Sequence, residues 1–105
     1  ERYRDFIYVE DVAYIVSDAI NNKQLYNQIF NLGSGKSTTI GELLNIMKEE
    51  GNFNKNIIVE DEIIGDMVGC VADNTKLKNI YKNRFEFTEL NKGINKMVNF
   101  YTQKI

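Results

Sequence analysis

The amino-acid sequence predicts an α/β fold in which short strands alternate with helices. Short apolar runs precede segments with helical periodicity, in the order β-α-β-α-β-α-α. The chain has 7 glycines and no proline, so its turns must be built from glycine and asparagine. Its 105 residues are 43% hydrophobic and 27% charged, which suits a packed core and argues against disorder. We therefore expect residues 1–105 to form a single domain or part of one.

The first strand and helix are predicted within the first 23 residues. Phe6–Val9 is a short run of aromatic and β-branched residues, which predicts a strand. Asp11 stands where a side chain would cap the following helix. The apolar stripe of that helix consists of Val12, Ile15, Val16, Ala19 and Ile20. Residues 21–23 (Asn-Asn-Lys) are expected to end the helix.

A second strand and helix follow. Gln28–Leu32 predicts a strand that leads into the turn Gly33–Gly35. Thr39 and Glu42 have the spacing of a capping box, so a helix is expected from about Ile40, with Gly51 as its stop.

The remaining elements are one strand and two helices. Asn56–Glu60 predicts a third strand, and Gly65–Gly69 predicts a loop. Asp73 is expected to cap a short helix, and the last helix is expected from about Glu89 to Gln103. The apolar residues expected to face inward on these two helices are Leu77, Ile80, Tyr81, Leu90, Ile94, Met97, Val98 and Tyr101.

Two segments carry a family resemblance. The first is Arg4–Val12, with the sequence Arg-Asp-Phe-Ile-Tyr-Val-Glu-Asp-Val, and the second is Phe30–Gly35, with Phe-Asn-Leu-Gly-Ser-Gly. Together they resemble the back third of NAD-dependent nucleotide-sugar epimerases and dehydratases, the extended short-chain dehydrogenase family. The resemblance implies that the chain is the C-terminal, substrate-binding portion of such an enzyme. The N-terminal Rossmann half is then expected to lie outside these residues.

The resemblance also implies roles for two side chains. In this family the arginine of the first motif contacts the diphosphate of the sugar nucleotide, a role that falls to Arg4 here. A planar guanidinium suits it because it holds phosphate oxygens with two parallel hydrogen bonds. Gly65-Asp66 followed by Ala72–Lys76 resembles the family's segment Arg-x-Gly-Asp…Ala-Asp-x-Ser/Thr-Lys, which implies that Asp66 lies near the nucleotide ribose.

One position departs from the family pattern. The second diphosphate arginine is expected two residues before Gly65, where this chain has Ile63. Loss of a charged hydrogen bond of this kind costs about 1.5–3 kcal/mol. Either the substrate is held differently, or nucleotide binding has been lost.

The catalytic and cofactor motifs of the family are not found in these residues. None of the 6 tyrosines has a lysine four residues later; Tyr101 and Lys104 are three apart and are read as a surface pair. The segment Gly33–Thr38 does not match a phosphate loop, because Phe30 stands where the first glycine is required. It does not match a dinucleotide fingerprint, because Thr38 stands where the last glycine or alanine is required. NAD or NADP is therefore expected in the complete enzyme, and neither is expected to bind this chain alone.

Composition excludes several other classes. The absence of histidine removes Ser-His-Asp triads and histidine-ligated metal sites. A net charge of −2 gives no case for nucleic-acid binding, and no apolar stretch approaches the length of a membrane span. Cys70 is the single cysteine and fits a reducing cytoplasm. The acidic residues 60–62 and Asp66 match no calcium loop and are expected to be solvated.

Two functions remain open from the sequence. The chain is either the substrate-binding part of a nucleotide-sugar enzyme, inactive alone, or a non-catalytic binding module derived from one. The expected partners are the nucleotide-sugar substrate and either an N-terminal half or a second copy. The latter two would bind apolar faces that this segment leaves exposed.

Overall fold

The computed structural model describes residues 1–103, and this part of the chain forms a small α/β assembly of helices with two short strands. The strands are β1, Tyr3–Arg4, and β2, Thr38–Thr39. The helices are α1, Val9–Asp18; α2, Ile40–Gly51; α3, Thr75–Tyr81; and α4, Leu90–Thr102. Short 3-10 turns cover Lys23–Leu25 and Lys82–Arg84. The α/β class predicted from the sequence is confirmed.

The two strands pair antiparallel at the start of the chain. Tyr3 lies opposite Thr39 and Arg4 opposite Thr38. On its other side Tyr3 forms a parallel bridge to Gly69, and its N–H donates to the Val68 carbonyl at 3.1 Å. A Cβ at Gly69 would lie 2.0 Å from the Tyr3 ring, so only glycine fits there. Tyr3 thus joins segments that are far apart in sequence.

The three strands predicted from apolar runs are not formed in the described residues. Phe6–Val9 is a connection whose last residue already opens α1, and Gln28–Leu32 and Asn56–Glu60 are irregular. A strand needs a neighbour that receives its backbone hydrogen bonds, and these segments have none here. Ile58 and Val59 are 84% and 89% exposed, so the apolar run that suggested a buried strand lies at the surface.

Asp11 does not cap α1, contrary to the prediction. The helix begins two residues earlier, and the N–H groups of Asp11 and Val12 donate to the Tyr8 carbonyl at 3.1 and 3.3 Å. Asp11 is buried, and its carboxylate accepts hydrogen bonds from the Thr88 N–H at 2.7 Å and hydroxyl at 2.8 Å. Its role is to join α1 to the segment before α4.

The capping box of α2 is confirmed. The Thr39 hydroxyl accepts from the Glu42 N–H at 3.1 Å, and the Glu42 carboxylate accepts from the Thr39 N–H at 2.9 Å. Gly51 is the last helical residue, and Asn52 follows in the left-handed conformation with φ 49°. The helix thus has the predicted bounds.

The core is small and lies between α1 and α3. Its buried residues are Ile15, Leu25, Leu77 and Tyr81, with Ala19, Phe30, Leu32, Ile80, Phe85 and Phe87 packed around them. The predicted stripe of α1 is only partly correct, since Val16 and Ile20 are 60% and 72% exposed. On α4 Ile94 is buried as predicted, whereas Tyr101 is 63% exposed.

Two sequence predictions concern the ends of elements. The Asp73 carboxylate accepts from the N–H and hydroxyl of Thr75, so it closes the turn that opens α3, although the capping position itself is Asn74. Lys104 lies outside the described residues, so its pairing with Tyr101 stays a prediction. Within residues 1–103 no helix has both the length and the apolarity that a bilayer span requires.

Candidate functional site

Strand β1 brings two arginines to one loop. Arg2 and Arg4 are two residues apart in extended backbone, so their side chains leave on the same side. Arg2 belongs to the same ladder, because its carbonyl accepts the Ile40 N–H at 2.9 Å. Both guanidinium groups reach the segment 66–68.

Arg4 holds this loop with both of its terminal nitrogens. Nη1 donates to the carbonyls of Tyr3 at 2.8 Å and Val68 at 3.3 Å, and Nη2 donates to the Met67 carbonyl at 3.0 Å. Nη2 also lies 3.5 Å from Oδ1 of Asp66, and the Arg4 side chain is 32% exposed. The two residues singled out from the sequence therefore meet in the fold.

Arg2 is a member of this cluster that the sequence reasoning missed. Its Nη1 donates to the carbonyls of Asp66 at 3.1 Å and Met67 at 2.9 Å, and lies 3.2 Å from Oδ2 of Asp66. Its spacing of two residues from Arg4 agrees with a shared side of extended backbone, but local spacing does not indicate which loop the two side chains reach. Two guanidinium groups thus share one carboxylate, which leaves a net positive charge at the cluster.

The loop that the arginines hold begins with a tight turn. The Asp66 N–H donates to the Ile63 carbonyl at 3.2 Å, and Gly65 has φ +86°, a conformation that favours glycine. Ile63 is 75% exposed, so it contributes neither charge nor packing here. The position where the family pattern has an arginine is therefore the first residue of the turn that Arg2 contacts.

The glycine turn at Gly33–Gly35 serves a carboxylate of the chain itself. The N–H groups of Ser34 and Gly35 donate to Asp5 at 3.0 and 2.9 Å, the Ser34 hydroxyl donates at 2.5 Å, and the Ala72 N–H at 3.2 Å. Burial opposes ionisation of Asp5, but these hydrogen bonds outweigh it and lower its pKa below the ordinary value. The backbone donors that would cradle a phosphate are already engaged.

Close packing explains why this turn contains glycine. A Cβ at Gly33 would lie 2.5 Å from the Ala72 Cβ and 2.8 Å from Asp5, while Gly35 has φ +76°. Buried Asn74 donates to the Gly33 carbonyl at 2.9 Å. Lys36, the lysine of the apparent phosphate motif, lies 3.4 Å from Glu89 instead.

These contacts bear on the cofactor that the resemblance implies. A dinucleotide fingerprint binds pyrophosphate through free backbone N–H groups at the start of a helix. Here those groups bond to Asp5, and α2 begins only at Ile40. This turn therefore does not fit the dinucleotide fingerprint. Among the described residues no group of three acidic or cysteine ligands could hold a metal.

Three clefts of the described residues lie elsewhere. Their volumes are about 890, 470 and 600 Å³, and none of the three is lined by Arg2, Arg4 or Asp66. The 890 Å³ cleft is lined by five lysines, namely Lys36, Lys78, Lys82, Lys92 and Lys96, among other residues. The arginine cluster is thus an open surface rather than part of these clefts.

Comparisons with known proteins identify the family. No protein-family model matches the chain. Over 98 residues the chain is 35% identical to a protein of Methanocaldococcus jannaschii named "Putative UDP-glucose 4-epimerase", a match that covers 92% of this chain. The fold also matches the crystal structure of the Thermotoga maritima UDP-glucose 4-epimerase with UDP-glucose, with a TM-score of 0.86, 27% identity and 99% of this chain covered. The chain belongs to the epimerases of the short-chain dehydrogenase family. In sequence and fold it corresponds to the C-terminal part of such an enzyme.

The chain spans about a third of the length of these relatives. It covers 30% of the Methanocaldococcus protein and 33% of the Thermotoga enzyme. The Bordetella bronchiseptica enzyme WbmH, crystallised with NAD⁺, shares the fold with a TM-score of 0.67 at 20% identity, covering 90% of this chain and 31% of its own. The resemblance inferred from Arg4–Val12 and Phe30–Gly35 is therefore confirmed at the level of family and segment.

Proposed function

We propose that this chain is the substrate-binding part of an NAD-dependent nucleotide-sugar epimerase, and that the complete enzyme acts on a UDP-sugar. The observation that carries the proposal is the match over 99% of the chain to an epimerase crystallised with UDP-glucose. The cationic cluster on β1 adds chemical support, since a diphosphate needs fixed positive charge.

Arg4 is the proposed diphosphate ligand, and Asp66 is proposed to lie near the nucleotide ribose. Contacts with the 66–68 loop hold the Arg4 guanidinium in place before any ligand arrives. A preorganised cation loses little side-chain freedom when it binds an anion, which favours affinity. A carboxylate is a suitable acceptor for ribose hydroxyls.

The cofactor belongs to the part of the enzyme that these residues do not include. NAD or NADP supplies hydride transfer to and from the sugar in such enzymes, and we propose that it binds outside this segment. The segment contains neither the glycine-rich turn nor the tyrosine–lysine pair, so we expect it to be inactive alone. A cytoplasmic location, suggested by the single Cys70, is part of the same proposal.

A second candidate function rests on Ile63. A chain that no longer binds diphosphate does not need an arginine at this position, and Ile63 is an exposed apolar residue. The chain would then be part of a non-catalytic binding module derived from an epimerase. The two functions differ in one measurable property, which is whether the full-length protein interconverts UDP-glucose and UDP-galactose.

The test uses the full-length protein that carries this segment. We expect epimerisation of UDP-glucose, and we expect Arg4→Gln to weaken UDP-glucose binding about tenfold because one charged hydrogen-bonding group is lost. Arg84→Gln is the matched control, since Arg84 is exposed and its hydrogen bonds to described residues go to the carbonyls of Ile80 and Tyr81 at the end of α3. Unchanged affinity in Arg4→Gln, measured calorimetrically, would contradict the site.

A further inference from the structure

The arginine cluster contains donor capacity that the fold does not use. All the hydrogen bonds of Arg2 to described residues come from Nη1, which leaves Nη2 and Nε of the same guanidinium for another acceptor. The Arg2 side chain is 25% exposed, so it is partly open to solvent. Asp66 balances only one of the two guanidinium charges.

The position of Arg2 relates to the missing arginine. In the family pattern the second cation is expected at position 63, on the turn that ends at Asp66. Arg2 comes from a different element, but its guanidinium rests on the last residue of that turn. The cation that the turn itself lacks is thus supplied by the residue just before β1, beside Arg4.

We propose that Arg2 is the second diphosphate ligand of this protein, in place of the arginine that the family has at position 63. The inference rests on the proposed function, because it takes the ligand to be a nucleoside diphosphate group. Arg2 and Arg4 then place two guanidinium charges on one side of the extended segment 2–4, both held by the 66–68 loop. Ile63 therefore marks a relocated contact rather than a lost one.

A purely structural role for Arg2 makes a different prediction. If Arg2 only fastened the 66–68 loop, its removal would disturb Asp66. The affinities for the nucleoside uridine and for the diphosphate UDP would then fall alike. If Arg2 binds phosphate oxygens, its removal lowers the affinity for UDP and leaves the affinity for uridine unchanged. The ratio of UDP to uridine affinity therefore separates the two roles.

The experiment is calorimetric titration of the full-length protein with UDP, UDP-glucose and uridine. We expect Arg2→Gln to lower the affinities for UDP and UDP-glucose about tenfold and to leave the affinity for uridine unchanged. Arg2→Lys retains the charge but not the two-pronged donor geometry of a guanidinium group. Its UDP affinity is expected to lie between those of Arg2→Gln and the unmodified protein. Arg84→Gln removes the same charge from the third arginine of the chain and is expected to bind like the unmodified protein.

The possible failures are distinguishable. If the unmodified protein binds neither UDP nor UDP-glucose, the proposed function falls and this inference falls with it. If Arg4→Gln lowers the affinity for UDP but Arg2→Gln does not, the proposed function stands and the role of Arg2 is overturned. An equal loss for UDP and uridine in Arg2→Gln also overturns it. Should Arg2→Gln fail to fold, UDP binding by Arg2→Lys equal to that of the unmodified protein would overturn it as well.

Discussion

Asp5 organises the turn that most resembles a nucleotide-binding motif. Each of its carboxylate oxygens accepts two hydrogen bonds, Oδ1 from Ser34 and Oδ2 from the N–H groups of Gly35 and Ala72. The carboxylate thereby joins the start of the chain to two distant segments. The backbone N–H groups of this turn thus bind an anion of the chain itself.

Replacing Asp5 with asparagine tests this role. An asparagine amide cannot accept a hydrogen bond through its nitrogen, so two backbone or hydroxyl donors lose their partner. We expect Asp5→Asn to lower the free energy of unfolding by about 1–3 kcal/mol, measured by urea denaturation. Asp73→Asn is the control, since a single oxygen of Asp73 accepts both bonds from Thr75 and an amide oxygen can do the same.

The same bonds predict how stability responds to acid. The pKa of Asp5 is lowered from its ordinary value of 3.8 in the fold, so its stabilising contribution is complete above that value. It is lost as the pH falls below 3.8 through the lowered folded pKa. We expect a shallower acid decline in the unfolding free energy of Asp5→Asn, and an unchanged acid decline would contradict this account.

At the residue scale the sequence predicted two members of this cluster, whose roles in substrate binding stay predictions. Arg4 and Asp66 were chosen from separate motifs, and the fold places them 3.5 Å apart. Arg2 could not be chosen by motif, since the family pattern gives it no role. Its contacts depend on how the loop 66–68 returns to β1, which is tertiary information that local spacing does not contain.

At the scale of elements, the end of α3 has a backbone conformation that its residue disfavours. Lys82 follows the helix with φ 52° and ψ −122°, a region that glycine adopts readily and other residues rarely do. Its N–H still donates to the Lys78 carbonyl, so the conformation is part of the helix end. Nothing in the contacts of the described residues requires a lysine side chain there.

We therefore expect Lys82→Gly to stabilise the fold by about 1 kcal/mol, because glycine removes the steric cost of positive φ. The control is Lys78→Gly, an exposed position within the same helix, where glycine should destabilise by about 0.5–1 kcal/mol. Thermal and urea unfolding of the two variants should thus shift in opposite directions. A loss of stability in Lys82→Gly would show that the lysine side chain has a role in this turn.

Helices were easier to predict than strands, for a physical reason. The bounds of α2 follow from Thr39, Glu42 and Gly51, all of which act within a few residues of the helix. Strands depend on a partner that supplies hydrogen bonds, and runs such as Asn56–Glu60 have no such partner among the described residues. The observed strands are instead two residues each and were set by the pairing of Tyr3 with Thr39.

The whole molecule has more surface than a free-standing protein of its size. It exposes 8391 Å², whereas a 12.2 kDa monomer exposes about 6,100 Å². Its radius of gyration is 16.4 Å, against about 13 Å for a compact domain of this length. The surplus of about 2,300 Å² is comparable with the area that permanent interfaces bury.

Part of this surplus is an apolar stripe along α1 and the turn that follows it. Val9, Val16 and Ile20 are 71%, 60% and 72% exposed, and with exposed Ala13 they recur at the spacing of one helical face. The opposite face of the same helix carries Ile15 into the core. A helix that is apolar on two sides is suited to contact a second body, which we propose to be either the rest of an epimerase or another copy of this chain.

We expect the 105-residue chain in isolation to associate through this stripe, or else to be only marginally stable. Val16→Lys places a charge on the stripe and should reduce association in sedimentation velocity, with little loss of stability because Val16 is exposed. Ser17→Lys adds the same charge at the neighbouring exposed position and should leave association largely intact. A strict monomer with a sharp, concentration-independent thermal transition would contradict the prediction, because the exposed apolar area would then need no partner.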